Sequence, residues 1–439
     1  MALSENPKLA LIPSGYKENK IYSVLPSDGV GDFDFTRNSS ATRINKSGLI
    51  ETVSAHVPRL NYPMIDGVVS GCPSHILEPL RRNIALYSSS FDNSYWNKNR
   101  STIISDNIIS PDGTQNADKF LETTDNNSHN ITKLISDNTG KNLSVSVFMK
   151  KAERNYGVIY VGSGPGKGVL FDLEDGVIVK NIGLAPNWKK IEDYGNGWYR
   201  CSMGYTSTDG SSEVTFGIAK DSTGNSSYVG DASKGIYIWG AQVEDSGIGI
   251  NADYVSSYIP TTTSITTRSA ETANGSGDAA TFNDSEGILY VNIASNSNTS
   301  SNYDGISISD GSSSDKVQLY FTPTSNQLYY IVVSGSNNQA VGFVTLNDAT
   351  QFNKVAIKYK ANDFAFWVNG FELLTDTSGI APIGLDTLNF DSGTGGNDFY
   401  GNTKQIQYYD TALSDTDLET LTSWVSFQEM AEGQLYTIE

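Results

Sequence analysis

Two carboxylates at alternate positions of one strand project to the same side, and a retaining glycosidase needs such a pair about 5–5.5 Å apart. "FDLEDG" (171–176) has that spacing in Asp172 and Glu174. The better reading of this pair is a solvated outer face. "GSGPGKG" (162–168) has the glycines of a phosphate loop, but strand-like runs flank it on both sides. With no helix start to hold a phosphate, it reads as a strand-to-strand loop. There is no Gly-X-Ser-X-Gly elbow, and His56, His75 and His129 all precede residue 130, none at ligand spacing from another. Cys72 and Cys201, 129 positions apart, fit two reduced, buried thiols rather than a disulfide framework or zinc knuckle. The expectation is a protein that is not an enzyme and has no metal or cofactor.

Binding chemistry is better represented. Sugar recognition combines an aromatic ring against the apolar face of the sugar with planar amides and carboxylates for its hydroxyls. The glycine-rich "DSGTGGNDFYGN" (391–402) brings Asp391, Asn397, Asp398, Tyr400 and Asn402 together as glycan-contact candidates. An unliganded turn and a calcium loop are the alternatives for the same residues. Trp188, Trp198, Tyr199, Trp239 and Trp367 sit in strand patterns and are expected in cores. A second chemistry is basic: "FTRNSSATRINKSGLIE" (35–51) places Arg37, Arg43 and Lys46 among small polar residues in a chain of net charge −19.

The elements that carry these residues are strands. Forty-one glycines, 24 tyrosines and abundant Ser, Thr and Asn describe strand formers broken by turn formers, and 439 residues suffice for two or three domains. Residues 1–83 hold seven of the 13 prolines among short apolar scraps, which suits an extended arm of short strands. Within it, Lys46-Ser47-Gly48 is expected to turn a small hairpin between Arg43-Ile44 and Leu49-Ile50. From residue 84, "LSVSVFMKK", "YGVIYVG", "GVLFDLEDGVIVKNIG", "GWYRCSMGYT", "EVTFGIAK" and "GIYIWGAQVE" are short alternating runs separated by turns, the pattern of a sandwich or jelly roll. In the last of these, Ile236, Ile238, Gly240 and Gln242 are expected on one face and Tyr237, Trp239 and Ala241 on the other. A Ser/Thr-rich connector follows, and 269–282 is read as a linker. Residues 283–425 form a second antiparallel sandwich with hairpin turns at Asn362-Asp363 and Asn369-Gly370. A short helix capped by Ser414, with Leu418, Leu421 and Val425 on one face, precedes a tail at 426–439. The fold class is all-β: an extended N-terminal arm, two antiparallel β-sandwich (jelly-roll) domains at 84–268 and 283–425, and a short C-terminal helix.

Charge is uneven along this layout. Lys plus Arg against Asp plus Glu number nine against eight in 1–83, 16 against 20 in 84–268, and five against 21 in 269–439. So acidic an end repels phosphates and anionic lipid, arguing against nucleic acid and membrane partners. No apolar run reaches the ~20 residues of a bilayer span, and "MALSENPK" has no secretion-signal character. Synthesis in the cytosol is expected.

The N-terminal motifs carry a resemblance. "TRNSSATRIN", then "GLIE", "PRLNY" and "LEPLRRN", at residues 36–45, 48–51, 58–62 and 77–83, occur in that order. The chain thereby resembles a group of tailed-bacteriophage virion proteins described as head fibre, head spike or tail fibre. "GIYIWGAQVED" and "SSYIPTTTS" resemble the carbohydrate-binding-module-like jelly roll that follows in such proteins. "GNTKQIQYYDTALSDTDLETLTS" resembles the end of a concanavalin A-like (laminin G-like) sandwich. Together these cover nearly the whole chain. The resemblance implies a virion protein made in the host cytoplasm, homotrimeric, attached to capsid or tail proteins and projecting its sandwiches toward host-surface glycans. On that reading Arg37, Arg43, Arg59, Arg81 and Arg82 anchor the arm to the virion; the alternative is that they brace a small domain through internal pairs. For the whole protein, the alternatives are a purely structural decoration or spacer and, behind it, a polysaccharide depolymerase.

Overall fold

The computed structural model describes residues 3–136, 140–162, 166–207, 211–248, 253–300 and 303–423. It is all-β, with one helix, Asp415–Thr422, among the described residues, and every strand pairing within its sheets is antiparallel. Ser414 caps the helix by accepting from the Asp417 amide, and buried Leu418 packs it against the second sandwich. Val425, the expected end of that sandwich and the 426–439 tail lie outside the described residues.

In the first sandwich one sheet runs Ser101–Ile109, Gln115–Glu122, Gly235–Ile248, Lys141–Lys151, Trp198–Thr206, Lys189–Asp193. The facing sheet runs Asn97–Asn99, Asn126–Ser136, Ser211–Ala219, Tyr156–Val161, Lys167–Asp172, Val177–Gly183. Between them lie Phe91, Trp96, Phe120, Val145, Val147 and Phe216. The alternation expected for "GIYIWGAQVE" breaks at Gly240, whose φ of +66° accompanies a register shift against Lys141–Lys151. Ile236 and Ile238 share one face as expected, the one turned to the core, but after this bulge Ala241 and Val243 join them there. Gln242 and Glu244 are thereby turned to the outer face, which faces the junction described below. "FDLEDG" also departs from expectation: the strand ends at Asp172, whose carboxylate accepts from the Glu174 and Asp175 amides in a turn. The two carboxylates therefore do not share a strand face.

The second sandwich pairs Asn337–Thr345, Gln327–Ser334, Lys316–Phe321, Gly305–Ser309, Thr387–Asn389 with a sheet of Phe371–Asp376, Phe364–Val368, Asn353–Lys360, Glu286–Ser295 and Gly401–Tyr409. The hairpin turns fall as expected. Asn362 has φ +58°, and Asn369 and Gly370 both have positive φ, as a two-residue primed turn requires.

Residues 1–83 are short strands, as the prolines dictate, but they run along the molecule itself. Leu9–Leu11 pairs with 406–408 and Ser74–Leu77 with 401–403, so both complete the otherwise open edge of Gly401–Tyr409. Phe33–Thr36 pairs with Thr272–Asn274 of the expected linker. Leu9, Leu11, Ile21, Phe33, Phe35 and Leu77 enter the core of the second sandwich. Meanwhile the predicted hairpin forms as Ala41–Ile44 with Ile50–Val53, in the register Arg43 to Glu51, turning at Gly48 with φ +77°. It lies on the first sandwich: Thr42 Oγ1 donates to the Tyr258 carbonyl, and Ile50 packs with Phe148, Trp198 and Trp239. The apolar scraps that cannot form a core alone are buried against the chain's own two sandwiches.

Candidate functional site

At this three-way junction the chain buries an ionic cluster. Glu271, wholly buried, accepts from Arg37 Nη1 at 2.7 Å, from Arg59 Nε at 2.9 Å and Nη2, and from the Glu78 amide at 2.9 Å. Glu78 pairs with Arg59 at 2.8 Å and with Arg268 at 2.9 Å, and accepts from the Ser257 amide and hydroxyl. Residues up to 234 positions apart are thus tied together. Burial favours protonation of Glu78, but Arg268 and Arg59 outweigh it and hold the carboxyl at about 2. Beside the cluster, Glu244 is reached by the Ser256 amide and hydroxyl and by Gln242, placed there by the Gly240 bulge.

The five arginines expected at the virion surface separate accordingly. Arg37 and Arg59 are 0% and 1% exposed, and their carboxylate partners are Glu271 and Glu78, so neither has a face to offer another protein. Arg81 is also buried, stacked on Tyr254 and 3.9 Å from Glu244. Arg43 donates to the Tyr16 hydroxyl at 2.9 Å and to Glu51 at 3.2 Å. Arg82 is the most exposed of the five, its half-buried side chain paired with Asp245. For the first three, the alternative of internal bracing is what the structure contains. The reason is physical: a guanidinium taken out of water needs a carboxylate within reach, and the chain supplies one.

In front of the cluster opens a cleft of about 660 Å³ with walls from all three parts of the chain, within the size range of ligand sites. The N-terminal segment contributes Arg43, Asn61, Tyr62 and Asp66. The first sandwich contributes Lys190, Glu192, Tyr194, Tyr199 and Arg200, and its exit segment Tyr254. The second sandwich contributes Asn296, Gln351, Phe352, Asn402 and Lys404. Lys190 and Glu192 share a face of the strand Lys189–Asp193 and pair at 2.8 Å. Burial alone would raise the Glu192 carboxyl, but Lys190 and Arg200 hold it below its ordinary value. Burial pushes the phenols of Tyr194, Tyr199 and Tyr254 up, so each stays protonated at neutral pH and can both donate and accept. The lining therefore combines aromatic rings, planar amides and balanced charge, the set that sugar hydroxyls and ring faces call for.

The five glycan candidates of the 391–402 loop do not form one site. Asp391 is 3% exposed and turned inward, accepting from Asn274 Nδ2 at 3.0 Å and the Gly393 amide at 2.6 Å. Asn397 stands exposed at the tip with φ +54°. Asp398 accepts from the Tyr400 hydroxyl at 3.2 Å, and Tyr400 faces a small recess beside Arg81, Tyr254 and Asp304. Asn402 reaches the cleft, its Oδ1 accepting from Ser74 Oγ at 3.0 Å. Among the described residues, no group of three or more His, Cys, Asp or Glu side chains is placed to hold a metal ion. Trp198, Trp239 and Trp367 are buried as expected, while Trp188 and Tyr199 are half-buried and Tyr199 lines the cleft. Cys201 is buried, but Cys72 is exposed, just before the strand Ser74–Leu77. Sequence reasoning missed the cleft because its walls are set by tertiary pairing. The one available sign was the tyrosines of "EDYGNGWY" and "NADYVSSY".

No protein family profile matches the chain, and no curated protein sequence does. Among solved structures, the CBM40 of Ruminococcus gnavus IT-sialidase bound to α2,3-sialyllactose is similar at 17% identity and TM-score 0.29, over 34% of this chain and 88% of that one. A leech intramolecular trans-sialidase gives 20% identity and TM-score 0.28, over 33% of this chain and 24% of that one. Domain 4 of AbnA, a GH43 extracellular arabinanase from Geobacillus stearothermophilus in complex with arabinotriose, gives 10% identity and TM-score 0.29, over 40% and 84%. Likenesses at this level carry no argument about what this chain does.

Proposed function

We propose that the chain is a bacteriophage virion fibre or spike protein, attached to capsid or tail proteins, that adheres to host-surface glycans through the cleft at its three-way junction. The virion part rests on the linked N-terminal motifs, and the homotrimer goes with it. The adhesion part rests on one observation: a cleft of about 660 Å³ whose lining pairs protonated tyrosines with amides and balanced charge. The acidic surface of the C-terminal half suits a protein that must stay soluble until it meets its receptor. A glycan array probed with the full chain, alongside mass spectrometry of purified virions, tests both parts. Specific glycan spots and the protein in virions support the reading; a blank array from folded protein removes adhesion. The burial of Arg37, Arg59 and Arg81 favours a second reading, in which the N-terminal motifs serve to hold two spacer sandwiches rigid.

A further inference from the structure

The strand Asn337–Thr345 is outermost in its sheet of the second sandwich, and among the described residues its free side pairs with no other segment. An edge of nine residues offers a row of amides and carbonyls that another strand can complete, and proteins blunt such edges with charge, bulges or cover. The other long edges of this chain are blunted. Ser101–Ile109 holds Asp106 and a register shift, and Val177–Gly183 holds Lys180. All but Ile191 of Lys189–Asp193 are charged, and Phe371–Asp376 holds Glu372 and Asp376. Gly401–Tyr409 is covered by the N-terminal strands. Asn337–Thr345 has one register shift, at Gln339, and none from Ala340 to Thr345. It also has no charge: from Val317 to Asn347 there is no Lys, Arg, Asp or Glu, although residues 269–439 hold 21 acidic side chains.

The outward side chains of this edge are apolar. Val341 and Phe343 are 44% and 53% exposed, while Ala340 and Val344 enter the core. Phe343 ends a row of rings across the sheet: Tyr320 stacks on Tyr329 at 4.9 Å between centroids, and Tyr329 lies within 11° of parallel to Phe343 at 6.4 Å. The edge strand of the facing sheet lies alongside, with Leu374 against Gly342 and with Phe371 and Leu373 exposed. Both sheets therefore end on the same side of the sandwich in exposed apolar residues.

These features specify what covers the edge. The occupant must bring an unpaired strand and an uncharged apolar surface, because so acidic a domain repels its own copies wherever charged faces meet. A second copy of Asn337–Thr345 brings both. Placed antiparallel about a two-fold axis at Gly342, it sets Val341 opposite Phe343 of the partner subunit, and the reverse, with Gln339 opposite Thr345 of the partner subunit. Such a contact is self-complementary, and aromatic with β-branched is a favourable cross-strand pair. We propose that two copies of the chain join through this strand, making one continuous sheet. The contact goes beyond the virion and adhesion readings and rests on neither. A two-fold axis relates two chains, so it is additional to the homotrimer, whose three-fold axis needs another surface.

The test is light scattering of the full chain after gel filtration at several concentrations, with amide hydrogen exchange followed over Ala340–Thr345. It is repeated with the double substitution Val341→Lys, Phe343→Lys, at exposed positions where lysine leaves the core intact and sets like charges opposite each other across the axis. A third sample ends the chain at Ser423. Unfolding midpoints of both variants are checked against the full chain. An even number of chains is expected, with the outward amides of Ala340–Thr345 slow to exchange. The doubly substituted chain should associate roughly a hundredfold more weakly or worse, and those amides should exchange rapidly. A monomer or trimer in which they exchange rapidly overturns the inference, and a trimer leaves the virion reading standing. An even-numbered assembly that the double substitution does not weaken also overturns it. So does protection that persists at every dilution and is lost only on ending the chain at Ser423, because the chain's own tail would then be the occupant. Adhesion is read separately, by the glycan array.

Discussion

Deleting residues 1–83 removes Leu9, Leu11, Ile21, Phe33, Phe35 and Leu77, none more than 2% exposed and all in the core of the second sandwich. At ~1.5–3 kcal/mol for each large apolar side chain fully buried, the six together withdraw roughly 9–18 kcal/mol. That equals or exceeds the ~5–15 kcal/mol by which a typical protein is stable. The same deletion strips Gly401–Tyr409 of its partners at 401–403 and 406–408, leaving an open strand edge. The first sandwich is the internal control, because the core between its two sheets runs from Ala85 to Val243 and takes nothing from residues 1–83, whose Ile50 packs on its outer face. Full chain, 84–439 and 84–268 would be compared by light scattering after gel filtration, dye binding to exposed apolar surface, and denaturant unfolding. The fragment 84–268 should be monomeric and unfold cooperatively. The fragment 84–439 should associate, bind dye and lack the transition of the second sandwich. A monomeric 84–439 that keeps every transition of the full chain would refute the view that residues 1–83 complete that domain.

Glu271→Gln leaves the buried Arg37 without its carboxylate partner, and denaturant unfolding of the full chain should show a loss of about 3–5 kcal/mol. By contrast Glu51→Gln, in the more exposed pair with Arg43, should cost at most about 1 kcal/mol. Glu78, held at about 2 against an ordinary 4.5, contributes stability that is present above pH 4.5 and lost as pH falls through about 2. The size is on the order of 3 kcal/mol, and Glu78→Gln should abolish that pH dependence in an acid titration of unfolding midpoints. Asp304 behaves oppositely. Burial, with Asp398 nearby, raises its carboxyl from 3.8 to about 6, so the folded state loses stability as pH rises through that interval. Asp304→Asn should therefore stabilise the protein by about 3 kcal/mol at pH 8 and by almost nothing at pH 4.

Much of the fold was legible locally. The hairpin 41–53 follows from Lys46-Ser47-Gly48, the turns at 362–363 and 369–370 from their asparagines and glycine, and the helix start from Ser414 with two aspartates behind it. Each of these is decided by backbone geometry within a few residues. What could not be read were contacts between distant segments. Arg37 and Arg59 stood out as basic, but Glu271 lies in a stretch without periodicity, 234 and 212 positions away. An aperiodic segment reads as a linker even when it carries a fully buried charge such as Glu271. The Gly240 bulge was hidden for a different reason. A glycine in an alternating run is compatible with continued alternation, and only the register against Lys141–Lys151 shows the slip that sends Glu244 to the junction and Val243 to the core. The 391–402 loop shows the converse error. Its polar residues are close in sequence, yet Asp391 is used inside the loop and only Asn402 reaches the cleft, because strand Gly401–Tyr409 starts between them and the junction.

The most direct test of the cleft as the glycan site is a crystal structure of the full chain soaked with the tightest-binding oligosaccharide from the array. Sugar density is predicted in the three-walled cleft, against the rings of Tyr194 and Tyr199. Sugar bound elsewhere, with only water in the cleft, would contradict it.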